Sequence, residues 1–377
     1  MVVQREDAPL KRQPGADALP RGSAAKWARL PFFGAARGSG CHAPWLLVGP
    51  AAWLCGDDAE PSAAPAVQHE RGAPWQPGND LERFFVRSEG TFGYYSLETA
   101  ELGPFDGQLE PGMAVAVVAT GAGPKGDPFG LTTHGLWIPL RDLMPIRPSH
   151  FAGVELLGGR RTGFVVSDSA AAYARPGQPM HPRTYHPRRT AVTPVERITH
   201  GSSGWWRLEE DGAFVKEADI AVSGDCTPPV EAAFGERWID VAIGSQVLTL
   251  CEGSNPVFST LVSTGRAAAG ETATPLGVFR VWVKLMEQDM DNLDDPDAEE
   301  RYGIEAVPWV MFFERGYGLH GTFWHDDFGT RRSHGCVNLS LRDARRVFDW
   351  AGPTVHPGWT AALPVPFDRG TLVRVRR

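Results

Sequence analysis

His320–Ser340 reads HGTFWHDDFGTRRSHGCVNLS. Three histidines and one cysteine stand here among glycines and small polar residues, with almost no aliphatic bulk. Three readings compete: a thiol nucleophile with its base, a metal site, or a polar loop without chemistry. Cys336 follows Gly335, and a cysteine displayed at a glycine turn offers its sulfur on one side. Backbone N–H groups on the other side can receive an oxyanion. His320 stands 16 residues earlier, at a strand end and before Gly321. Two such loops can bring imidazole and thiol together.

A free thiol titrates near ~8.5 and is only a few per cent thiolate at neutral pH. An adjacent imidazole either takes the proton or holds the thiolate as an ion pair. A shift of about two units makes thiolate the major form, each unit being about 1.4 kcal/mol. In papain-like peptidases the Cys precedes the His; here the order is reversed, which argues against that fold. The metal reading would use His320, His325, His334 and Cys336. Their spacing matches no zinc frame, so no metal and no cofactor is expected.

Outward from this stretch, Arg237–Gly265 (RWIDVAIGSQVLTLCEGSNPVFSTLVSTG) alternates polar and apolar residues at period two, with EGSNP as a hairpin turn. TPLGVFRVWVKL (274–285) and AVPWVMFFERGYGLHGT (306–322) continue the strand texture. The acidic run EQDMDNLDDPDAEER (287–301) is expected as a solvated surface loop, with a lid over the site as the rival reading; it misses the EF-hand ligand frame. SLRDARRVFDWA (340–351) predicts an amphipathic helix capped by Ser340, with Leu341, Ala344, Val347, Phe348 and Ala351 on one face.

The preceding half is a series of short β-like runs bounded by turn residues, from WLLV (45–48) to GLWIPL (135–140). GLWIPLRDL (135–143) and GAFVKEADI (212–220) share a frame: Gly first, an aromatic two places on, Asp seven on and an aliphatic eight on. That predicts two copies of a small all-β module, with 41–57 as a looser third. The chain carries 43 Gly, 32 Pro and 13 Trp, which suits β-rich modules better than helical bundles. A net charge of −8 argues against a nucleic-acid partner. The five cysteines form no CxxC pair. Cys41 and Cys55 bracket two strand-like runs, where a hairpin-closing disulfide and two buried thiols are both open. No stretch approaches the ~18–20 apolar residues of a membrane span, and MVVQREDAPLKRQPGADALPRG has no apolar signal core.

The motif HGT, then SHGCVNLS with Ser333 thirteen residues after His320, resembles the signature of the L,D-transpeptidase (YkuD) catalytic family. STG (263–265), TPLGVF (274–279) and RWIDV…QVLTL resemble that family's upstream strands. GWWRLEEDGAFVKEADI (204–220) resembles bacterial SH3-like modules. The expected architecture is therefore mainly β: a β-sandwich-like catalytic domain with one or more helices over 236–377, preceded by SH3-like modules at 84–150 and 151–235. A possible first module and linker occupies 27–83, and 1–26 is expected to be disordered or linker.

The resemblance implies cysteine acyl transfer on peptidoglycan stem peptides, with Cys336 as nucleophile and His320 as base. It implies the Gly321 carbonyl as orienter of the imidazole, His334, Gly335 and Cys336 N–H groups as oxyanion donors, and Ser333 and Asn338 as loop pins. Tyr317 is placed near the donor peptide; Trp324 and His325 are read as spacer structure. An L,D-carboxypeptidase using the same thiol, or a non-catalytic wall-binding scaffold, are the alternatives. The implied location is the cell envelope, with wall polymer a possible partner of the modules and the export signal missing from this chain.

Overall fold

The computed structural model describes residues 1–66, 81–177, 181–270, 272–293 and 301–377. The chain is mainly β, with one α-helix among the described residues. The period-two run after Arg237 forms three strands, β1 (Arg237–Ala242), β2 (Val247–Glu252) and β3 (Asn255–Leu261), paired antiparallel in sequence. The further strands of this region are β4 (Gly277–Arg280), β5 (Val283–Asp291), β6 (Gly303–Glu314), β7 (Tyr317–Gly321), β8 (Val337–Leu339), β9 (Trp359–Ala362) and β10 (Leu372–Arg376). β10 lies parallel to β1 and antiparallel to β4, and Val154–Glu155 adds the far edge beside β3.

A second sheet contains the β5–β6 hairpin, then β7 antiparallel to β6 and β8 parallel to β7. Ile239, Val241, Leu248, Leu250, Val373 and Val375 of the first sheet share one core with Met311, Phe313, Leu319, Val337 and Leu339 of the second. Burying an aliphatic side chain is worth roughly 1.5–3 kcal/mol, so this shared interior fixes how the two sheets meet.

Helix α1 (Leu341–Trp350) follows β8 directly. Ser340 caps it by accepting the Asp343 N–H, and Leu341, Ala344, Val347 and Phe348 are buried along its inner face. At its other end the buried Lys284 donates to the Phe348 carbonyl and, at 2.7 Å, to the Ala351 carbonyl. A side-chain N–H donor thus serves carbonyls that the last turn leaves unpaired.

The echo between 135–143 and 212–220 is structural. Trp137–Pro139, a 3-10 turn at Leu140–Asp142 and Leu143–Pro145 repeat as Phe214–Lys216, Glu217–Asp219 and Ile220–Val222. A third copy is Ala52–Cys55, Gly56–Asp58 and Ala59–Glu60. Each copy feeds its own core: Leu54 with Leu10 and Val48, Ile138 with Phe84 and Val115, and Val215 with Val165 and Leu208.

Two expectations are corrected. Residues 1–26 are not linker: Ala8–Lys11 and Pro20–Ala24 are strands, with Val3, Ala8, Leu10 and Ala24 fully buried. Pro20–Ala24 pairs with β9, more than 330 residues away, and buried Arg21 pairs with Asp368 at 2.7 Å. The polar, Pro-rich look of the segment hides a short alternation whose partner is remote in sequence. The acidic run is not wholly a loop either. Glu287–Asp291 belongs to β5 and pairs with β6, while 294–300, where a lid was the rival reading, lie outside the described residues.

The second sheet runs past the β5–β6 hairpin on both sides. β9 links it to the 8–55 strands, and Ala114 pairs with Ile304 to join the 82–145 strands.

Candidate active site

The parallel β7–β8 pair carries the histidine and leads out of the cysteine loop. Its register sets Leu319 against Val337, His320 against Asn338 and Gly321 against Leu339. Successive side chains in a strand alternate between faces. Leu319, Val337 and Leu339 enter the shared core. His320 and Asn338 therefore face the other way, and Cys336 stands in the bend just before β8. Continuing the register places Cys336 beside Gly318.

His320 is 2 % exposed. Its Nδ1 lies 3.2 Å from the Gly321 carbonyl oxygen. A carbonyl only accepts, so Nδ1 carries the proton and Nε2 keeps its lone pair for use as a base. Trp324 stacks on the ring at a centroid distance of 5.7 Å and an interplanar angle of 24°. Burial, opposed by the Gly321 carbonyl, lowers the imidazole to about 4.

Cys336 is the free cysteine among the described residues and is partly exposed. Burial of its sulfur pushes the thiol up, against a hydrogen bond from the Gly318 N–H. The thiol also lies 3.8 Å from the Gly316 carbonyl oxygen. Of the two arrangements left open by the sequence, thiol with imidazole or thiolate with imidazolium, both directions favour the neutral pair. Among the described residues no hydrogen bond joins the two side chains at rest; such contacts commonly tighten only with substrate bound.

The loop before Cys336 is pinned from several sides. Ser333 Oγ donates to the Cys336 carbonyl and accepts the Gly335 N–H at 3.0 Å. The Ser333 backbone bridges to the 264–266 segment. Gly335 has φ +124°, and a Cβ there would lie 2.4 Å from Tyr317 Cε1. Only glycine suits that conformation and that closeness. Tyr317, expected near the donor peptide, has its ring against the turn that displays the thiol. The Gly335 N–H is donated to Ser333 Oγ, which takes it out of the expected oxyanion donors.

Asn338 is 3 % exposed, and its backbone pairs with Ser263 in both directions. Its side-chain amide faces His325 Nε2 at 2.9 Å. His325 Nδ1 accepts the Asp327 N–H at 3.2 Å. A neutral imidazole has one acceptor nitrogen, and burial lowers His325 to about 4, so the ring is neutral. Nε2 must therefore donate, and the amide atom it meets is the oxygen. That assignment turns the amide over, giving Oδ1 the His325 partner and moving Nδ2 to the buried position that has none.

Three further residues border the site: Trp324 over His320, His325 under Asn338, and Tyr302, whose ring stacks on His334 at 4.9 Å and 13°. Trp324 and His325 sit inside the quoted stretch and were read as spacer; an aromatic and a histidine four and five residues after His320 were the available signal. Tyr302 had none, because it reaches the site from the far end of β6.

His320, His325, His334 and Cys336 do not gather their ligand atoms into one group. Among the described residues that distinction belongs to Cys41, Cys55 and Asp57, and the two sulfurs there form a disulfide closing the 41–55 hairpin. A second disulfide, Cys226–Cys251, ties the segment before β1 to β2.

Residues 236–375 match the profile of the YkuD family, the L,D-transpeptidase catalytic domain. The provisionally named L,D-transpeptidase YciB of Bacillus subtilis (strain 168) is 30% identical over 123 residues, covering 30% of this chain and 59% of that protein. The chain thus spans less than two thirds of this curated relative. Similar solved structures include an L,D-transpeptidase from Xylanimonas cellulosilytica, at 20% identity over 40% of this chain and 64% of that one, with a TM-score of 0.27. The catalytic domain of the Enterococcus faecium L,D-transpeptidase matches at 22% identity over 38% of this chain and all (100%) of that one, with a TM-score of 0.28. An L,D-transpeptidase from Mycobacterium smegmatis matches at 16% identity over 62% of this chain and 100% of that one, with a TM-score of 0.29. Over residues 236–375 the chain carries an L,D-transpeptidase catalytic domain of the YkuD family.

Proposed function

We propose that the chain is a peptidoglycan L,D-transpeptidase working through a Cys336 thioester. The reading is supported by the β7–β8 pairing, which sets His320 beside Asn338, and by the Gly318 N–H at the Cys336 sulfur, one residue before Leu319 of that pair. Cys336 Sγ attacks the carbonyl of the L-centre of diaminopimelate in a tetrapeptide stem while His320 Nε2 takes the thiol proton. The carbonyl oxygen becomes an oxyanion held by the His334 and Cys336 N–H groups. Collapse breaks the amide bond, and the terminal D-Ala amine leaves with the proton from the imidazolium. An acceptor amine then attacks the thioester, gives its proton to His320, and the thiol is restored. A second diaminopimelate side chain as acceptor makes a 3-3 cross-link. Water in the same place makes an L,D-carboxypeptidase.

The neutral resting pair suits this order of events. The proton leaves sulfur as the carbon–sulfur bond forms, so no exposed thiolate waits in the free enzyme. The envelope is the proposed location: two disulfides persist in an oxidising compartment and not in a reducing cytosol. No helix among the described residues is long and apolar enough to cross a membrane. The three repeated strand–turn–strand units support reading the first 235 residues as SH3-like modules that hold wall polymer. Sedimentation of full-length Cys336→Ala with purified sacculi checks this; protein left wholly in the supernatant contradicts it.

Intact-mass analysis after incubation with a carbapenem tests the thiol. The expected result is one adduct on the wild type and none on Cys336→Ala. An unlabelled wild type favours the alternative of a wall-binding scaffold.

A further inference from the structure

We propose that Arg83, on the Glu82–Val86 strand ahead of the catalytic domain, is a positioning residue for the Cys336–His320 site. The inference rests on the acyl-transfer reading above. One guanidinium grips both walls of that site. On one side it lies over the Phe323 ring, 4.8 Å from its centroid. Phe323 is buried and meets Trp324 edge to face at 5.0 Å, and Trp324 stacks on His320 at 5.7 Å. On the other side Arg83 Nη2 donates to the Ala306 carbonyl at 3.2 Å.

Ala306 is a strained point of β6, with φ +49° in the left-handed region. The β5–β6 register shifts at the same level, between Gln288 and Met290, and Asp289 accepts the Ala306 N–H at 2.7 Å. A bulge of this kind bends a strand and re-aims the residues beside it. The part it aims carries Tyr302, which stacks on His334, the residue two before Cys336. The grip of Arg83 therefore reaches the base through Phe323 and Trp324, and the thiol loop through Ala306 and Tyr302.

The guanidinium is held at Nη2 and by the Phe323 face, while its buried Nε has no partner. Glu287 lies close enough to act on its charge. Arg83's own strand is locked to 114–117 on one side and 143–145 on the other. Both contacts reach from this strand into the catalytic domain. This gives the preceding module a part in the chemistry beyond holding polymer.

The test uses full-length protein with Arg83→Met and Arg83→Lys, and two readouts. The first is the rate of Cys336 alkylation by iodoacetamide at neutral pH, which needs no wall substrate. The second is kcat and KM on a disaccharide-tetrapeptide donor. Arg83→Met is expected to lose roughly ten- to a hundredfold in kcat, as misplacement by a fraction of an ångström to an ångström does, with KM little changed. Its alkylation rate should fall in parallel. Arg83→Lys, which keeps a cation over Phe323 and a donor for Ala306, should recover most of both. A folded Arg83→Met with wild-type alkylation and kcat overturns the proposal. If Arg83→Met does not fold, Arg83→Gln, which keeps a donor but no cation, carries the same test. A wild type that alkylates normally but transfers nothing sinks the transpeptidase reading and leaves the Arg83 result decided by the alkylation rates.

Discussion

Replacing Gly335 by alanine probes the turn that displays the thiol. The added Cβ would stand 2.4 Å from Tyr317 Cε1, 2.8 Å from Tyr317 Cδ1 and 3.3 Å from the Ala273 carbonyl oxygen. Ordinary contact starts at 3.4 Å, so the ring or the loop must give way by about 1 Å. The backbone adds its own cost, since φ +124° is a glycine conformation worth ~1–3 kcal/mol to an L-residue. With ~1–3 kcal/mol for overpacking, Gly335→Ala should lose about 2–6 kcal/mol of stability. The same displacement moves Cys336 against His320 and should cost roughly a hundredfold in acyl transfer. Denaturant unfolding and the rate of D-Ala release from a tetrapeptide donor read the two effects. The double variant with Tyr317→Ala separates their causes. Removing the ring relieves the contact but not the φ strain, so the two substitutions should couple favourably by about 1–3 kcal/mol. Additive losses, or a Gly335→Ala protein within about 0.5 kcal/mol of wild type and with its full rate, would refute the packing described for this loop.

The dependence of kcat/KM on pH is set by His320. Its folded value of about 4 means the base is neutral and competent above that point, so activity should stay level down to about pH 5 and halve near pH 4; a midpoint near the ordinary histidine value of about 6.5 contradicts it. Lys284 is lowered to about 7 by burial, so the unfolded chain binds its proton more tightly between about pH 7 and 10.5 and the wild type gains stability as pH rises through that window. The penalty of Lys284→Met should therefore grow by roughly 2–3 kcal/mol from pH 6.5 to 9 in parallel unfolding curves, and a penalty independent of pH refutes the buried cap. Cys41–Cys55 and Cys226–Cys251 close loops with sequence separations of 14 and 25 residues; breaking each by serine substitution should cost about 3 kcal/mol, measured by denaturant unfolding, and no loss from either contradicts its presence.

The fold of the last third was legible because its signals are local. The alternation after Arg237 became β1 to β3, and Ser340 with Leu341, Ala344, Val347 and Phe348 became the capped helix. The repeat also read correctly, since a Gly, an aromatic, an Asp and an aliphatic at fixed offsets mark one strand–turn–strand unit. What failed was long-range. Nothing in PRGSA (20–24) points to β9, and Arg21 reads as a surface charge until Asp368 meets it. Cys251 reads as one more apolar position of β2, so its bond to Cys226 was invisible.

The sequence names the candidate residues of the site but not their protonation. The motif marks Cys336 and His320, but the neutral pairing depends on burial that only the folded sheet creates. Gly335 was read as an oxyanion donor, yet Ser333 Oγ takes its N–H, a competition between neighbours that residue types alone do not rank. Trp324 and His325 passed as spacer because stacking and amide orientation have no spacing rule. Tyr302 and Arg83 arrive from other strands, and their roles exist only in the assembled sheet.

The most direct measurement is intact-protein mass spectrometry after mixing with a disaccharide-tetrapeptide and no acceptor amine. A Cys336 thioester predicts a gain equal to the donor minus its terminal D-Ala, localised to the Cys336 peptide, absent from Cys336→Ala and much slowed in His320→Gln. No mass gain in the wild type while D-Ala is still released, or a gain that persists without the thiol, would contradict it.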